Sequence, residues 1–172
     1  MTNPGAAALL VDKDGNEYDA TTTPGDVIPV TLTLDTNAYA DGDVLADFQE
    51  VANFVRVNGG RALIQSITVL DKDDQGVAFD ILTTASNKSL GAENGAPSIS
   101  DADAEGVQRV TRIEASDYVD LGGCRIATKT NIGIMVEAGA ASRSIYIGAI
   151  TRGGTPTYSA AGLMLRIGVI WF

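Results

Sequence analysis

The last ten residues of the chain, "LMLRIGVIWF" (163–172), alternate with period two. Leu163, Leu165, Ile167, Val169 and Trp171 fall on one face of an extended strand, because successive side chains of a strand point to opposite sides. The other face is also apolar: Met164, Ile170 and Phe172, interrupted by Arg166. An apolar run on both faces requires either a central strand or a strand covered by another subunit. Met164, Ile170 and Phe172 are therefore the candidate subunit contacts of this chain.

The same period recurs from Val27 onward. "VIPVTLTLD" sets Ile28, Val30, Leu32 and Leu34 on one face. Its Pro29 cannot donate to a ladder, which favours an edge strand or a strand start. "FQEVANFVRV" follows a loop at 36–47, and "NGG" (58–60) turns it into "RALIQSITVL". "VAFDILTTA", "VQRVTRIEA" and "YVDLGGCRIATK" read as further strands. "NIGIMVEA" points Ile132, Ile134 and Val136 inward, and "RSIYIGAIT" does so with Ile145, Ile147 and Ala149. About seven or eight strands with hardly any helix predict an all-β, antiparallel β-sandwich. The long connections at 36–47, 86–106 and 152–160 suit jelly-roll or Greek-key crossings better than a meander. Within 86–106, "SISDADAEGV" predicts one helical turn, with Ser100 as N-cap and Asp101 and Asp103 near its positive end. A solvated cap accounts for Asp101, Asp103 and Glu105 more simply than a metal or acid/base cluster does.

Residues 1–26 differ from the rest. They are rich in Gly, Ala, Thr and Asp and cannot form a core, so they predict an extended N-terminal arm with a small hairpin at 12–18. The domain division is thus arm 1–26 and sandwich 27–172. The opening "MTNPGAAALLVDKDG" has neither the basic n-region nor the apolar length of a signal peptide. No run approaches the roughly 18 apolar residues of a membrane span.

Composition narrows the chemistry. The chain of 172 residues has no histidine, which removes the commonest general base and most zinc sites. Its formal net charge is −10, with arginines scattered rather than clustered, which argues against a nucleic-acid partner. The single Cys124 cannot form an intrachain disulfide and fits a small core site better than a nucleophile's. Two acidic turns invite a calcium reading. "VLDKDDQGVAFDIL" (69–82) supplies Asp71, Asp73, Gln75 and Gly76 in EF-hand order, but Leu82 stands where the bidentate acid is needed. "VDKDGNEYDA" supplies Asp12, Asp14 and Asn16, with Thr23 at the last position. Both read as hairpin turns. "TRGGTP" and "DLGGCR" are not followed by a helix and read as turns rather than phosphate cradles. Tyr39, Tyr118, Tyr146 and Tyr158 suggest either a sugar platform or, more simply, core-edge residues. No catalytic residue, metal ligand or cofactor is expected.

Beyond these local patterns, "LTLDTNAYADGDVLADFQEV", "VNGGRALIQSITVLDKDDQGVAFDILTT", "NKSLGAENGAPSISDADA", "YVDLGGCRIATKTNIGIMVEA" and "SIYIGAITRGGTPTYSAAGLMLRIG" together resemble small virion structural proteins of tailed bacteriophages, most of all capsid decoration (cement) proteins. The resemblance spans residues 31–168 and contains no catalytic motif. It implies a non-enzymatic sandwich made in the host cytoplasm and placed on the outer surface of the capsid. Its implied partners are the major capsid protein and further copies of itself, as a homotrimer. On this reading the arm binds the shell through Leu9, Leu10, Val11 and Tyr18. A tail or neck component and a carbohydrate (receptor)-binding module are the alternatives. A histidine-free carboxylate enzyme is a third, and it needs two acids across a cleft.

Overall fold

In the computed structural model, the described residues are Leu10–Val11, Glu17–Tyr18 and 25–171. Strands β1 (Leu10–Val11) and β2 (Glu17–Tyr18) form a small antiparallel hairpin, with Leu10 opposite Tyr18 and Val11 opposite Glu17. The remaining strands are β3 (Gly25–Thr31), β4 (Val44–Val51), β5 (Arg61–Asp71), β6 (Phe79–Thr84), β7 (Val107–Ile113), β8 (Tyr118–Asp120), β9 (Arg125–Glu137), β10 (Ile145–Thr151) and β11 (Leu163–Trp171). They make a four-stranded sheet, ordered β4-β10-β6-β7, and a five-stranded sheet, ordered β3-β11-β5-β9-β8. All pairings are antiparallel. The protein is an antiparallel β-sandwich.

The pairing is nested. β3 pairs with β11, β4 with β10, β5 with β9 and β6 with β7, as if one long hairpin had been folded in half and rolled up. This is jelly-roll topology, in which the chain changes sheet at almost every connection. The alternation read from the sequence fills the space between the sheets: Leu163, Leu165, Ile167 and Val169 of β11 are buried against Ile145 and Ile147 of β10 and the rest of the main core. Pro29 lies on β3, an edge strand of its sheet. β11 is the central strand that two-sided apolarity allowed, flanked by β3 and β5.

Three expectations need correcting. The acidic turn after β5 is not the tip of a hairpin, because β5 and β6 lie in different sheets. Left-handed residues at Asp74 (φ 58°) and Gly76 (φ 60°) redirect the chain from one layer to the other. Strand β4 starts at Val44, inside the span read as loop, and stops at Val51. Beyond it Asn53 (φ 55°) breaks the extended backbone, and Phe54 and Val55 are buried in a turn rather than a strand. The connection at 85–106 does not cross between sheets. It joins β6 to β7, which are paired neighbours, and lies over the outer face of their sheet.

That cover creates a second, smaller core of Val44, Phe48, Leu82, Leu90 and Ile150. Leu90 reaches the sheet because Gly148 stands beneath it, where an added Cβ would come within 2.7 Å of a Leu90 methyl. Asp47 anchors the segment, accepting from the Leu90 N–H at 2.6 Å and the Ser89 hydroxyl at 2.8 Å. Ser100 caps the short helix α1 (Asp101–Ala104), its hydroxyl accepting from the Asp103 N–H at 3.2 Å.

Both open sides of the sandwich are closed by a glutamine. Gln49 of β4 donates to the Thr31 carbonyl at 2.8 Å and accepts from the Thr33 N–H at 3.0 Å. Gln108 of β7 donates to the Glu137 carbonyl at 2.7 Å and accepts from the Glu137 N–H at 3.1 Å. Each amide stands in for the strand that an edge lacks, satisfying one donor and one acceptor across the gap between sheets. Replacing either by alanine should lower the unfolding free energy by about 1–2 kcal/mol, as two partly exposed hydrogen bonds are lost. Because they sit at opposite edges, the double variant should show the sum of the two, read from urea midpoints. A double variant no less stable than the single ones would contradict this role.

Candidate interaction face

The two sheets differ in what their outer faces meet. The four-stranded sheet is covered by 85–106, but the five-stranded sheet is bare among the described residues. Its strand register builds an apolar row across the whole sheet. Met164 of β11 lies beside Thr31 of β3 and Leu70 of β5, Leu70 beside Ile126 of β9, and Ile126 beside Val119 of β8. At about 4.8 Å per strand this row is roughly 20 Å long. Leu121, 59% exposed, extends it into the β8–β9 turn. A second row joins Ile170, Leu63 and Met135. Val119 is 60%, Met135 45% and Ile170 38% exposed.

Between these rows the face is polar. One line holds Pro29, Arg166, Thr68 and Thr128, and the next Val27, Gly168, Ser66 and Thr130. Arg166 is exposed and has no ion-pair partner among the described residues. A lone cation thus sits at the middle of an apolar-striped face, in a chain of net charge −10. Met164 and Ile170, singled out from the sequence, both belong to this face. Phe172 and Leu9 lie outside the described residues, and the backbones of Leu10, Val11 and Tyr18 belong to the β1–β2 hairpin. Sequence reasoning missed Leu63, Leu70, Ile126, Val119 and Met135.

The other candidate groups are used by the fold itself. In the acidic turn, Asp71 is fully buried and accepts from the N–H groups of Gly76 (2.7 Å) and Asp73 (3.1 Å). Burial raises its pKa, against the pull of those hydrogen bonds. Asp73 accepts from the N–H (2.8 Å) and hydroxyl (2.9 Å) of Ser159, at a point where Gly162 leaves room that any Cβ would fill. Asp74 pairs with Arg125 at 2.7 Å, and the Gln75 carbonyl oxygen accepts from the Thr157 N–H at 3.1 Å. The side-chain oxygens of this turn are tethers that tie it to 157–162 and to β9. Asp103 is paired with Lys88 at 2.7 Å, which lowers its pKa. Cys124 is half-buried in the β8–β9 turn rather than set in the core, because the turn lies beyond the last paired residues of those strands.

The tyrosines form no common platform. Tyr39 and Tyr158 are buried together, their ring centroids 6.3 Å apart. Burial pushes the Tyr39 hydroxyl up to about 12, and raises those of Tyr118 and Tyr158 as well. Tyr39 donates to the carbonyl of Leu45 at 3.1 Å and accepts from the Asp35 N–H at 2.7 Å, which fixes the connection before β4. Tyr118 packs at the edge of the main core and Tyr146 at the edge of the second.

A buried carboxylate stands out on the four-stranded sheet. Asp80 of β6 receives Arg112 through two bonds (2.7 and 2.9 Å) and Arg152 through one (2.6 Å). The Arg112 guanidinium, with Arg152 behind it, lowers its pKa below the usual carboxylate value despite burial.

Comparison with known proteins adds little. No protein-family model matches the chain, and no curated protein is significantly similar to it. A solved structure from desmodium yellow mottle tymovirus shares 12% identity over 99% of this chain and 94% of its own, with a TM-score of 0.27. A putative sugar binding protein from Bacteroides thetaiotaomicron shares 13% over 84% and 73%, at 0.25. A structure of infectious bursal disease virus shares 15% over 99% of this chain and 42% of that one, at 0.18. Likenesses at this level carry no functional argument.

Asp80 gives a pH-dependent test. Its folded pKa lies below the unfolded value of about 3.9, so its contribution is fully present above that value and disappears as pH falls through the folded one. Asp80→Asn should therefore cost about 1–3 kcal/mol at neutral pH. The gap from the parent protein, followed by urea unfolding, should narrow below about pH 4. A gap that stays constant through that range would contradict the assignment.

Proposed function

We propose that this chain is a non-enzymatic structural protein of a virion, a capsid decoration protein that binds the major capsid protein on the outside of the shell and works as an oligomer. The observation that carries this reading is the outer face of the five-stranded sheet. The space between the sheets is filled by side chains, and the second sheet is covered by the chain itself, while this one face keeps two apolar rows open. Apolar stripes of this kind mark surfaces used for assembly. The jelly roll supports the reading as an analogy only, since capsid and lectin domains share it and a fold does not fix a role. Burial of Tyr39 and Tyr158 counts against the carbohydrate-binding alternative, because it removes half of the tyrosine set from solvent.

A decoration protein strengthens a shell by many weak contacts acting together. Each bound contact raises the effective concentration of the next, so an oligomer holds a lattice that a single domain would leave. A trimer suits the threefold positions of such a lattice, in keeping with the phage resemblance.

The test is co-sedimentation of the full chain with capsids stripped of decoration. Saturable pelleting at a fixed ratio to the major capsid protein, with a raised capsid disruption temperature, is the expected result. Failure to pellet, together with saturable binding to immobilised glycans, would overturn the reading in favour of a sugar-binding module.

A further inference from the structure

The apolar face lacks a cover, and the β1–β2 hairpin lacks a support. A two-stranded hairpin is at best marginally stable in water, and strands of two residues each are shorter than any that hold alone. Such a hairpin needs a surface to lie on. Its sequence from Leu10 to Tyr18, "LLVDKDGNEY" from Leu9, combines apolar residues with Asp12, Asp14 and Glu17. The open face offers the complement: apolar rows on either side of an unpaired cation, Arg166.

We propose that the β1–β2 hairpin of one copy docks on the outer face of the five-stranded sheet of a second copy, its acids meeting Arg166 and its apolar residues meeting the rows of Met164, Leu70, Ile126 and of Ile170, Leu63, Met135. The exposures of Val119, Met135 and Ile170 are those of a single chain with its own hairpin formed, so their cover comes from another chain. Symmetric stacking of two such faces is disfavoured, because Arg166 sits near the middle of each and two unpaired cations would be brought together. A hairpin carrying acids has the opposite charge. The connection also has the reach. Residues 19–24 separate the hairpin from Gly25, which lies beside Ile170 at one end of the face, and six extended residues span roughly 20 Å.

The contact is heterologous, hairpin into face, so that every copy gives one hairpin and receives one. Such contacts build closed rings when the rotation between copies closes. This assignment rests on the assembly reading of the face and deepens it: Leu10, Val11 and Tyr18 meet a neighbouring copy, and the shell is met by the assembled ring.

Analytical ultracentrifugation of the isolated protein, without capsids, tests it separately from shell binding. The full chain should sediment as an oligomer. Leu10→Asp/Tyr18→Asp, which leaves the sandwich untouched, and Met135→Asp/Ile170→Asp, at exposed positions, should each be monomers with unchanged thermal unfolding. Arg166→Glu, a milder variant, should weaken association by about tenfold or more. An equimolar mixture of the hairpin and face variants should give a one-to-one dimer, because one partner retains the hairpin and the other the face. A hairpin variant that associates as well as the parent would overturn the proposal in favour of face-to-face stacking. A full chain that is monomeric at micromolar concentration would overturn it outright, whatever the capsid experiment shows.

Discussion

Everything in this sandwich depends on where its last strand goes. β11 is inserted between β3, the first strand of the sandwich, and β5, and its inward residues lie at the centre of the main core. Until Leu163–Trp171 is in place, β3 has no neighbour and β5 has only β9. A pairing between strands more than a hundred residues apart in sequence closes the longest loop of the chain before it gains any contact. The same holds, less severely, for β4 with β10 and β5 with β9. Nested pairing therefore makes the fold slow to assemble and strongly cooperative, since no sheet can form from a local piece of chain.

The local devices follow from that topology. A rolled-up hairpin leaves gaps at the sides of the sandwich, and Gln49 and Gln108 bridge them with amide groups that copy a backbone. Chain reversals between layers must bury polar turns against the ends of the sheets. Asp71, Asp73 and Asp74 serve there, accepting from N–H groups that would otherwise be unpaired or holding Arg125. The acidity that invites a calcium reading is thus turn chemistry. On the four-stranded sheet, 85–106 acts as a lid with its own core, so that sheet is buried on both faces. The five-stranded sheet has no such lid, and the asymmetry between the two singles out one face for assembly.

How far the sequence could be read depended on what each signal reports. Alternation reports which face a residue occupies, and it placed Leu163, Leu165, Ile167, Val169, Ile145 and Ile147 correctly. Proline at 29 and serine at 100 report local backbone needs, an edge strand and a helix cap, and both hold. Alternation does not report sheet membership. The acidic turn after β5 has the composition of a hairpin tip, yet it joins different layers. "VLADF" escaped recognition as a strand because Val44 and Phe48 face the second core while Leu45 faces the first, which erases the period. The interaction face was half legible. Met164 and Ile170 showed themselves through the two-sided last strand, but Leu70, Ile126, Leu63 and Met135 become a row only through register with strands distant in sequence.

Hydrogen exchange of the β11 amides is the most direct measure of this account. If the last strand is the central member on which both neighbours depend, the amides of Leu165, Ile167 and Val169 should exchange only through global unfolding. Their protection should then match the slowest amides of β5 and fall with denaturant at the full global slope. Exchange of β11 through a separate, shallower opening, with β5 and β9 still protected, would show that the last strand is an add-on to a sheet that stands without it.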